Sequence, residues 1–153
     1  MAIYTPENQQ LANAEADVIR VLLVDDSRST QHFLRALLQR VQGLRVVGVA
    51  DTGQKAVEYE FQLQPELILL DVMLPDFNGE AVLPVLLQVA PNAKVVYLSN
   101  RSKAIELRSA ASGAAGYIEK GLEPRQLLER LGAIVGRPLV SSALLPDPGT
   151  YIV

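Results

Sequence analysis

The stretch Leu67-Ile68-Leu69-Leu70-Asp71 decides the fold class, because an entirely apolar run ends in a carboxylate. Four consecutive aliphatic residues are typical of a short strand that is buried on both faces of a parallel sheet. In such sheets, ligands bind at the edge formed by the carboxyl ends of the strands. Asp71 is therefore predicted to lie at the functional edge of the sheet.

Strand-like and helix-like segments alternate on both sides of this stretch. Further strands are predicted at 19–24, 46–50, 95–98 and 116–118. The predicted helices have an apolar face from Phe33 to Val41, a span at 53–64, an apolar face from Val82 to Val89, and spans at 102–111 and 124–135. Five strands that alternate with five helices predict an α/β fold, a doubly wound five-stranded parallel sheet.

The pattern also predicts the positions of three residues within these helices. Phe33 and Phe61 fall on helical apolar faces, so we expect both in the core. Pro84 lacks an amide hydrogen, and we expect it to be compatible with its helix only in the first turn.

The composition narrows the class of protein. The 153 residues are enough for about one domain, and a net charge of −3 without a run of basic residues argues against binding of nucleic acid. The chain has no cysteine, which excludes disulfides and thiolate metal sites and fits a reducing compartment. It also has neither a secretory signal nor an apolar run that could span a bilayer. We therefore expect a cytoplasmic protein that binds neither nucleic acid nor membranes.

Composition shifts divide the chain into three parts. We expect a polar N-terminal extension at 1–18, one domain at 19–137, and a short tail or linker at 138–153. The last part is too short to form an effector domain such as a helix-turn-helix unit.

Polar side chains follow four of the predicted strands and should therefore converge at one edge. They are Asp25 and Asp26, Asp71, Ser99 and Lys120. Two carboxylates 4 Å apart repel by about 1 kcal/mol in water and by about 4 kcal/mol at an effective dielectric of 20. The cluster needs a cation or a proton, and an all-oxygen site suits Mg²⁺. One carboxylate could then act as a nucleophile that forms an aspartyl phosphate, with the hydroxyl and the ammonium holding phosphoryl oxygens.

Each of these residues also has an ordinary structural interpretation. Asp26 could cap the first helix, Ser99 could cap the helix that follows it, and Lys120 could be a solvated loop residue. Their shared position after successive strands favours the cluster over these separate explanations.

The segments that carry these residues resemble the receiver domains of two-component response regulators. The stretch 21–26 is similar to the family's first strand with its acidic pair. The stretch 67–79 matches the phosphoacceptor strand with its following proline and glycine. Ser99 stands at the position of the switch Ser/Thr, and 116–120 matches the aromatic switch residue and the lysine. The resemblance covers about 19–136, and the passage 136–141 resembles the linker of NarL-type regulators.

This resemblance implies a flavodoxin-like receiver fold and a division of roles. Asp71 would accept a phosphoryl group from a sensor histidine kinase or a phosphotransfer protein. Asp26, Asp71 and the backbone carbonyl of Met73 would bind Mg²⁺, with Asp25 acting through water. Lys120 would pair with the phosphoryl oxygens. The protein would then be no enzyme beyond its own phosphotransfer and dephosphorylation.

The resemblance also implies a switch. Ser99 would move toward the phosphoryl group and Tyr117 would turn inward behind it, which would reshape a surface for a downstream protein target or for self-dimerisation. An alternative is that the chain is the receiver fragment of a helix-turn-helix transcription regulator that acts through dimerisation. A Mg²⁺-dependent phosphohydrolase is a weaker alternative, since that class needs an acidic residue at the position of Met73.

Three positions depart from the family's commonest pattern. Gly121 follows Lys120 where a proline, often after a cis bond, is usual. A cis bond before a residue other than proline costs about 2.5–4 kcal/mol, so the sequence leaves this loop's geometry open. Asn100 and Met73 are poorly suited to admitting or positioning an attacking water. We therefore expect slow intrinsic dephosphorylation.

Overall fold

The computed structural model describes residues 6–7, 17–76, 79–100 and 112–144. The helix predicted at 102–111 lies outside these residues, as do most of the N-terminal extension and the part of the tail after residue 144.

The sheet is parallel throughout and has the strand order β2-β1-β3-β4-β5. Its strands are β1 (Ile19–Val24), β2 (Leu44–Ala50), β3 (Leu67–Asp71), β4 (Lys94–Ser99) and β5 (Gly116–Glu119). The described helices are α1 (Arg28–Leu38), α2 (Gly53–Leu63), α3 (Gly79–Val89) and α4 (Pro124–Val135), followed by a 3₁₀ turn (Ser142–Leu144). The predicted doubly wound sheet is confirmed.

The unbroken apolar run of β3 is buried on both faces of the sheet. Leu67 and Leu69 belong to the core cluster that faces α1 and α4, whereas Ile68 and Leu70 belong to the cluster on the opposite face, with α2 and α3. Successive side chains of a strand point to opposite faces, so a strand covered on both sides must be apolar at every position. Each fully buried aliphatic side chain contributes about 1.5–3 kcal/mol to folding.

The strand order brings the carboxyl ends of β1 and β3 together near the middle of the sheet. The chain passes from β1 to the edge strand β2 on one side, then returns to β3 on the other side of β1. Val24 and Leu70 are paired across β1 and β3, so the residues that follow them, Asp25 and Asp71, leave the sheet side by side. This reversal of direction is the position at which parallel sheets bind ligands.

The structure corrects both aromatic expectations. Phe33 and Phe61 are 44% and 63% exposed rather than buried. The buried face of α1 is formed by Leu34, Leu37 and Leu38, and Phe33 lies at the border of that face. A helical apolar pattern identifies a face, but the neighbouring elements decide how far around the helix the contact extends.

The expectation for Pro84 is also wrong, and the alternative interpretation of Asp26 as a helix cap is excluded. Pro84 is the sixth residue of α3, beyond the first turn, and it therefore removes one internal hydrogen bond from that helix. The N-cap of α1 is Ser27 rather than Asp26, because the Ser27 side chain accepts from the amide of Thr30 at 3.3 Å.

Residues 137–144, which we call the closing segment, pack against the amino-end side of the sheet. Leu139 joins the core cluster of α1 and α4. Ser141 forms an antiparallel bridge with Val41, and its buried hydroxyl donates to the carbonyl of Leu37 at 3.1 Å. The amide of Ser142 donates to the carbonyl of Arg40 at 2.9 Å. The start of the predicted tail is thus a packed part of the described domain.

Candidate phosphoacceptor and metal site

Asp25 and Asp71 are held by the same local device at the ends of neighbouring strands. Oδ1 of Asp25 accepts the amide of Ser27 at 2.8 Å, and Oδ1 of Asp71 accepts the amide of Met73 at 3.0 Å. Both contacts join a carboxylate to the amide two residues later, which is the Asx-turn arrangement that aspartate favours after a strand. Each buried carboxylate therefore has one oxygen fixed by its own loop and the other directed elsewhere.

Lys120 connects the two remaining oxygens. Its Nζ lies 2.6 Å from Oδ2 of Asp25 and 3.0 Å from Oδ2 of Asp71. The backbone positions the lysine, because its amide donates to the carbonyl of Ser99 at 2.7 Å. The ammonium thus sits between two buried carboxylates, and the solvated-loop interpretation of Lys120 is wrong.

Burial and charge act together on the titration of this group of residues. Burial raises the pKa of Asp71, and the Asp25 carboxylate adds to this, whereas the Met73 amide and the Lys120 ammonium oppose it. Burial alone would lower the pKa of Lys120, but the carboxylates of Asp25 and Asp71 outweigh it and raise the pKa. The lysine is therefore held in its charged form, which a partner for phosphoryl oxygens requires.

The third predicted carboxylate completes a cation-sized cluster. Asp26 is exposed, and one oxygen from each of Asp25, Asp26 and Asp71 lies within 4.8 Å of the others. Three ionised carboxylates against one ammonium leave an excess of two negative charges, which one divalent cation would neutralise. Oδ2 of Asp25 is fully buried, and the Lys120 ammonium lies 2.6 Å from it. Oxygen donors with this charge fit Mg²⁺.

The two predicted switch residues are both buried. Ser99 ends β4 at the same edge as Asp71, and Tyr117 lies in β5, within the core cluster that faces α2 and α3. Tyr117 pairs in register with Tyr97 of β4. The aromatic ring of Tyr117 is directed inward in this structure, and the movements predicted for both residues stay predictions.

Met73 and Gly121 show how the departures from the common pattern are accommodated. The side chain of Met73 is 67% exposed, and the residue contacts Asp71 through its backbone amide. No cis peptide bond occurs among the described residues, and Gly121 adopts a φ of +92°. This left-handed conformation is easy for glycine, and it turns the chain after Lys120 without a proline.

Sequence reasoning missed two residues that support Asp25. The amide of Ser27 binds its side chain, and the Gln31 side-chain amide donates to its backbone carbonyl. The first contact could have been found from the sequence, because an aspartate followed by two polar residues at a strand end favours an Asx turn. The second depends on the placement of α1 over the loop and had no signal in the sequence.

Comparison with known proteins agrees with this geometry. The family model described as "Response regulator receiver domain" matches residues 21–132. A protein-glutamate methylesterase/protein-glutamine glutaminase of Myxococcus xanthus is 37% identical over 123 residues, which cover 78% of this chain and 35% of that protein. The nitrate/nitrite response regulator protein NarL of Escherichia coli is 33% identical over 128 residues, which cover 82% of this chain and 59% of NarL.

A solved structure shows the same architecture. The response regulator domain of Thermotoga maritima CheB superposes with a TM-score of 0.70 at 31% identity, covering 84% of this chain and 99% of that domain. The chain thus spans about a third of the methylesterase and more than half of NarL. From its sequence match, its sheet topology and its acidic site, the chain belongs to the response regulator receiver domain family of two-component signalling.

Proposed function

We propose that Asp71 is the phosphoacceptor of this receiver and that its phosphorylation switches a protein-interaction surface. The observation that carries the proposal is the buried carboxylate of Asp71, held by the Met73 amide at 3.0 Å and by the Lys120 ammonium at 3.0 Å beside Asp25 and Asp26. A carboxylate nucleophile needs a fixed orientation and nearby positive charge, and this edge of the sheet supplies both.

The reaction is a transfer of the phosphoryl group between two side chains. An oxygen of Asp71 forms a bond to phosphorus while the bond from phosphorus to the imidazole nitrogen of a phosphohistidine breaks, and the bonding electron pair returns to that nitrogen. The histidine belongs to a sensor histidine kinase or a phosphotransfer protein. Lys120 contributes by pairing with phosphoryl oxygens, since its ammonium already lies 3.0 Å from Oδ2 of Asp71.

Asp26, Asp71 and the Met73 carbonyl would hold Mg²⁺, with Asp25 contributing through water. The cation would neutralise charge on the transferring oxygens. The protein's own contribution is to keep the carboxylates together without it, through the Lys120 ion pairs and the two Asx turns.

The output would pass through Ser99 and Tyr117 to the surface formed by the helix predicted at 102–111, by β5 and by α4. Two downstream routes are open to such a surface: binding of a separate target protein, and self-dimerisation as in a DNA-binding regulator of which this chain would be the receiver. The second route is supported by the similarity to NarL. Within the described ranges, no helix combines the length and the apolar character needed to cross a bilayer. We propose a cytoplasmic location on the separate ground of the similarity to response regulators.

The first experiment measures phosphorylation directly. The protein is incubated with Mg²⁺ and acetyl phosphate, and its intact mass is recorded for the wild type, for Asp71→Asn and for Asp51→Asn. Asp51 is a matched control, because it follows β2 at the same edge but is exposed and paired with Lys55 at 3.0 Å. We expect one phosphoryl group on the wild type and on Asp51→Asn, and none on Asp71→Asn.

Two further readings use the same samples. Hydroxylamine should remove the group, because it cleaves acyl phosphates. After removal of the donor the modified form should decay slowly, since the exposed thioether of Met73 cannot hold an attacking water by a hydrogen bond. Modification of Asp71→Asn, or the absence of modification in every sample, would overturn the assignment of Asp71, and rapid decay would overturn the expectation of a long lifetime.

Light scattering with and without Mg²⁺ and beryllofluoride, a phosphoryl analogue, separates the two output routes.

A further inference from the structure

A carboxylate outside the acidic cluster ties the phosphoacceptor loop to a neighbouring helix. Asp76 lies in the loop between β3 and α3, and its carboxylate reaches the first residues of α2. Oδ1 accepts the amide of Gly53 at 2.8 Å, and Oδ2 accepts the amide of Gln54 at 3.0 Å. More than 20 residues separate the partners in sequence, so this is a tertiary contact that joins two loops of the functional edge.

The start of α2 is built to receive this carboxylate. The first amides of any helix lack partners within the helix and carry partial positive charge, so they bind a carboxylate with charge-assisted hydrogen bonds. The Thr52 side chain accepts from the amide of Lys55 at 3.1 Å, which is one helix position beyond the two amides bound by Asp76. The helix is thus capped by one residue of its own and by one residue of the phosphoacceptor loop.

The other end of the same short segment is attached to the site. The Met73 amide donates to Asp71, and the Met73 side chain is largely exposed, so packing of that side chain does little to hold the backbone. Between Met73 and Asp76 stand only Leu74, which packs against the core cluster that faces α2 and α3, and the conformationally restricted Pro75. The segment is therefore held by Asp71 at one end, by the packing of Leu74 in its middle and by the start of α2 at the other end.

We infer that Asp76 is a positioning residue for the metal site. By holding the segment that starts at Met73, it keeps the backbone carbonyl of Met73 in the position that the proposed function requires of a cation ligand. Without this contact the carbonyl would have to be ordered each time Mg²⁺ binds, and that conformational cost would lower the affinity. The inference rests on the proposed function, and it assigns to Asp76 a role that is distinct from coordination.

The test compares Mg²⁺ binding in three variants of the unphosphorylated protein, by titration of backbone amide NMR signals. Asp76→Ala removes both acceptors. Asp76→Asn retains one oxygen acceptor without charge. Thr52→Ala is the matched control, because it removes a cap from the same helix without touching the β3–α3 loop. Thermal unfolding without Mg²⁺ measures how far each change weakens the fold itself.

We expect Asp76→Ala to weaken Mg²⁺ binding on the order of tenfold, the lower end of the range for groups that orient metal ligands. The Mg²⁺ affinity of Asp76→Asn should lie between those of Asp76→Ala and the wild type. Thr52→Ala should lower the unfolding temperature to a similar extent and bind Mg²⁺ as the wild type does. Hydrogen exchange of the Met73 amide should be faster in Asp76→Ala and unchanged in Thr52→Ala.

Equal Mg²⁺ affinities in Asp76→Ala and the wild type would overturn the inference, as would an equal loss of affinity in Thr52→Ala. If Asp76→Ala does not fold, the comparison of Asp76→Asn with Thr52→Ala decides by the same criterion. The wild-type measurement separates the two proposals: a wild type that binds no Mg²⁺ and accepts no phosphoryl group contradicts the proposed function itself. A wild type that does both, with variants that match it, contradicts only the role of Asp76.

Discussion

The two ends of the sheet are stabilised in opposite ways. At the carboxyl end, two buried carboxylates and one ammonium lie within 3.0 Å contacts, and a third carboxylate stands close by. At the amino end, the closing segment packs Leu139 into the core, and its buried side-chain hydrogen bond joins neutral groups, the Ser141 hydroxyl and the Leu37 carbonyl. One end buries unbalanced charge, whereas the other buries apolar and neutral groups and keeps the charged Arg137 in an exposed contact.

This difference separates function from stability within one small domain. Buried charges that exceed their partners cost free energy unless a ligand balances them, so the carboxyl end should respond strongly to Mg²⁺. Apolar burial has no such dependence, so the amino end should contribute a constant stability. Three substitutions test this contrast, from the largest expected effect to the smallest.

Replacing Lys120 should have the largest effect. Lys120→Met leaves Asp25 and Asp71 buried without their ammonium, and without Mg²⁺ it should lower the free energy of unfolding by about 3 kcal/mol, the lower end of the range for breaking a buried pair. Because the negative excess grows, Mg²⁺ should stabilise this variant more than it stabilises the wild type. Urea unfolding with and without Mg²⁺ measures both effects.

A surface ion pair provides the control for this experiment. Lys55→Met breaks the exposed pair with Asp51, and we expect no measurable change in stability and an ordinary response to Mg²⁺. Equal losses in the two lysine variants would show that burial does not distinguish these ion pairs, and the contrast between the two ends would fail.

Truncating Leu139 tests the amino end. Leu139→Ala removes a side chain that is 8% exposed, and it should lower the free energy of unfolding by about 2–3 kcal/mol through lost burial and a cavity. Val140→Ala is the neighbouring control and should have little effect, because Val140 is 60% exposed. Both variants should bind Mg²⁺ as the wild type does. A changed Mg²⁺ affinity in Leu139→Ala would mean that the two ends are coupled.

Glu60, a carboxylate outside the acidic cluster, sharpens the comparison, because it is buried without a cation partner among the described residues. Glu60 lies on the inner face of α2, is 5% exposed, and burial raises its pKa. A raised pKa means that the folded state favours the protonated form. The contribution of Glu60 protonation to folding stability is therefore complete below the usual pKa of 4.5. This contribution is lost as the pH rises through the pKa of Glu60 in the folded state.

Glu60→Gln should accordingly make the protein slightly more stable at neutral pH, with a difference that vanishes below about pH 4. The exposed Glu58→Gln on the same helix is the control and should show no such trend. Thermal unfolding across this pH range measures the difference. A loss of stability in Glu60→Gln at neutral pH would mean that the carboxylate makes a favourable contact.

The parts predicted correctly from the sequence share a physical reason. A fully apolar β3 can only be buried on both faces, and parallel strands bring their carboxyl ends to one edge, so the meeting of Asp25, Asp71 and Lys120 followed from position alone. The parts predicted wrongly were local patterns read without their neighbours. Phe33 lies at the border of the buried face of α1, and the elements that pack on α1 decide how far that face extends. Pro84 lies beyond the first turn of α3, because α3 begins earlier than its apolar pattern indicates.

By itself, the sequence determined the class of fold and which polar residues meet at the carboxyl ends of the strands, because side-chain periodicity and strand direction are local properties of the chain. Only the tertiary structure decided which oxygen of each aspartate meets Lys120, that the closing segment completes the core, and that Asp76 caps α2. These features depend on contacts between residues that are distant in sequence, and such contacts exist only once the strands and helices have packed together.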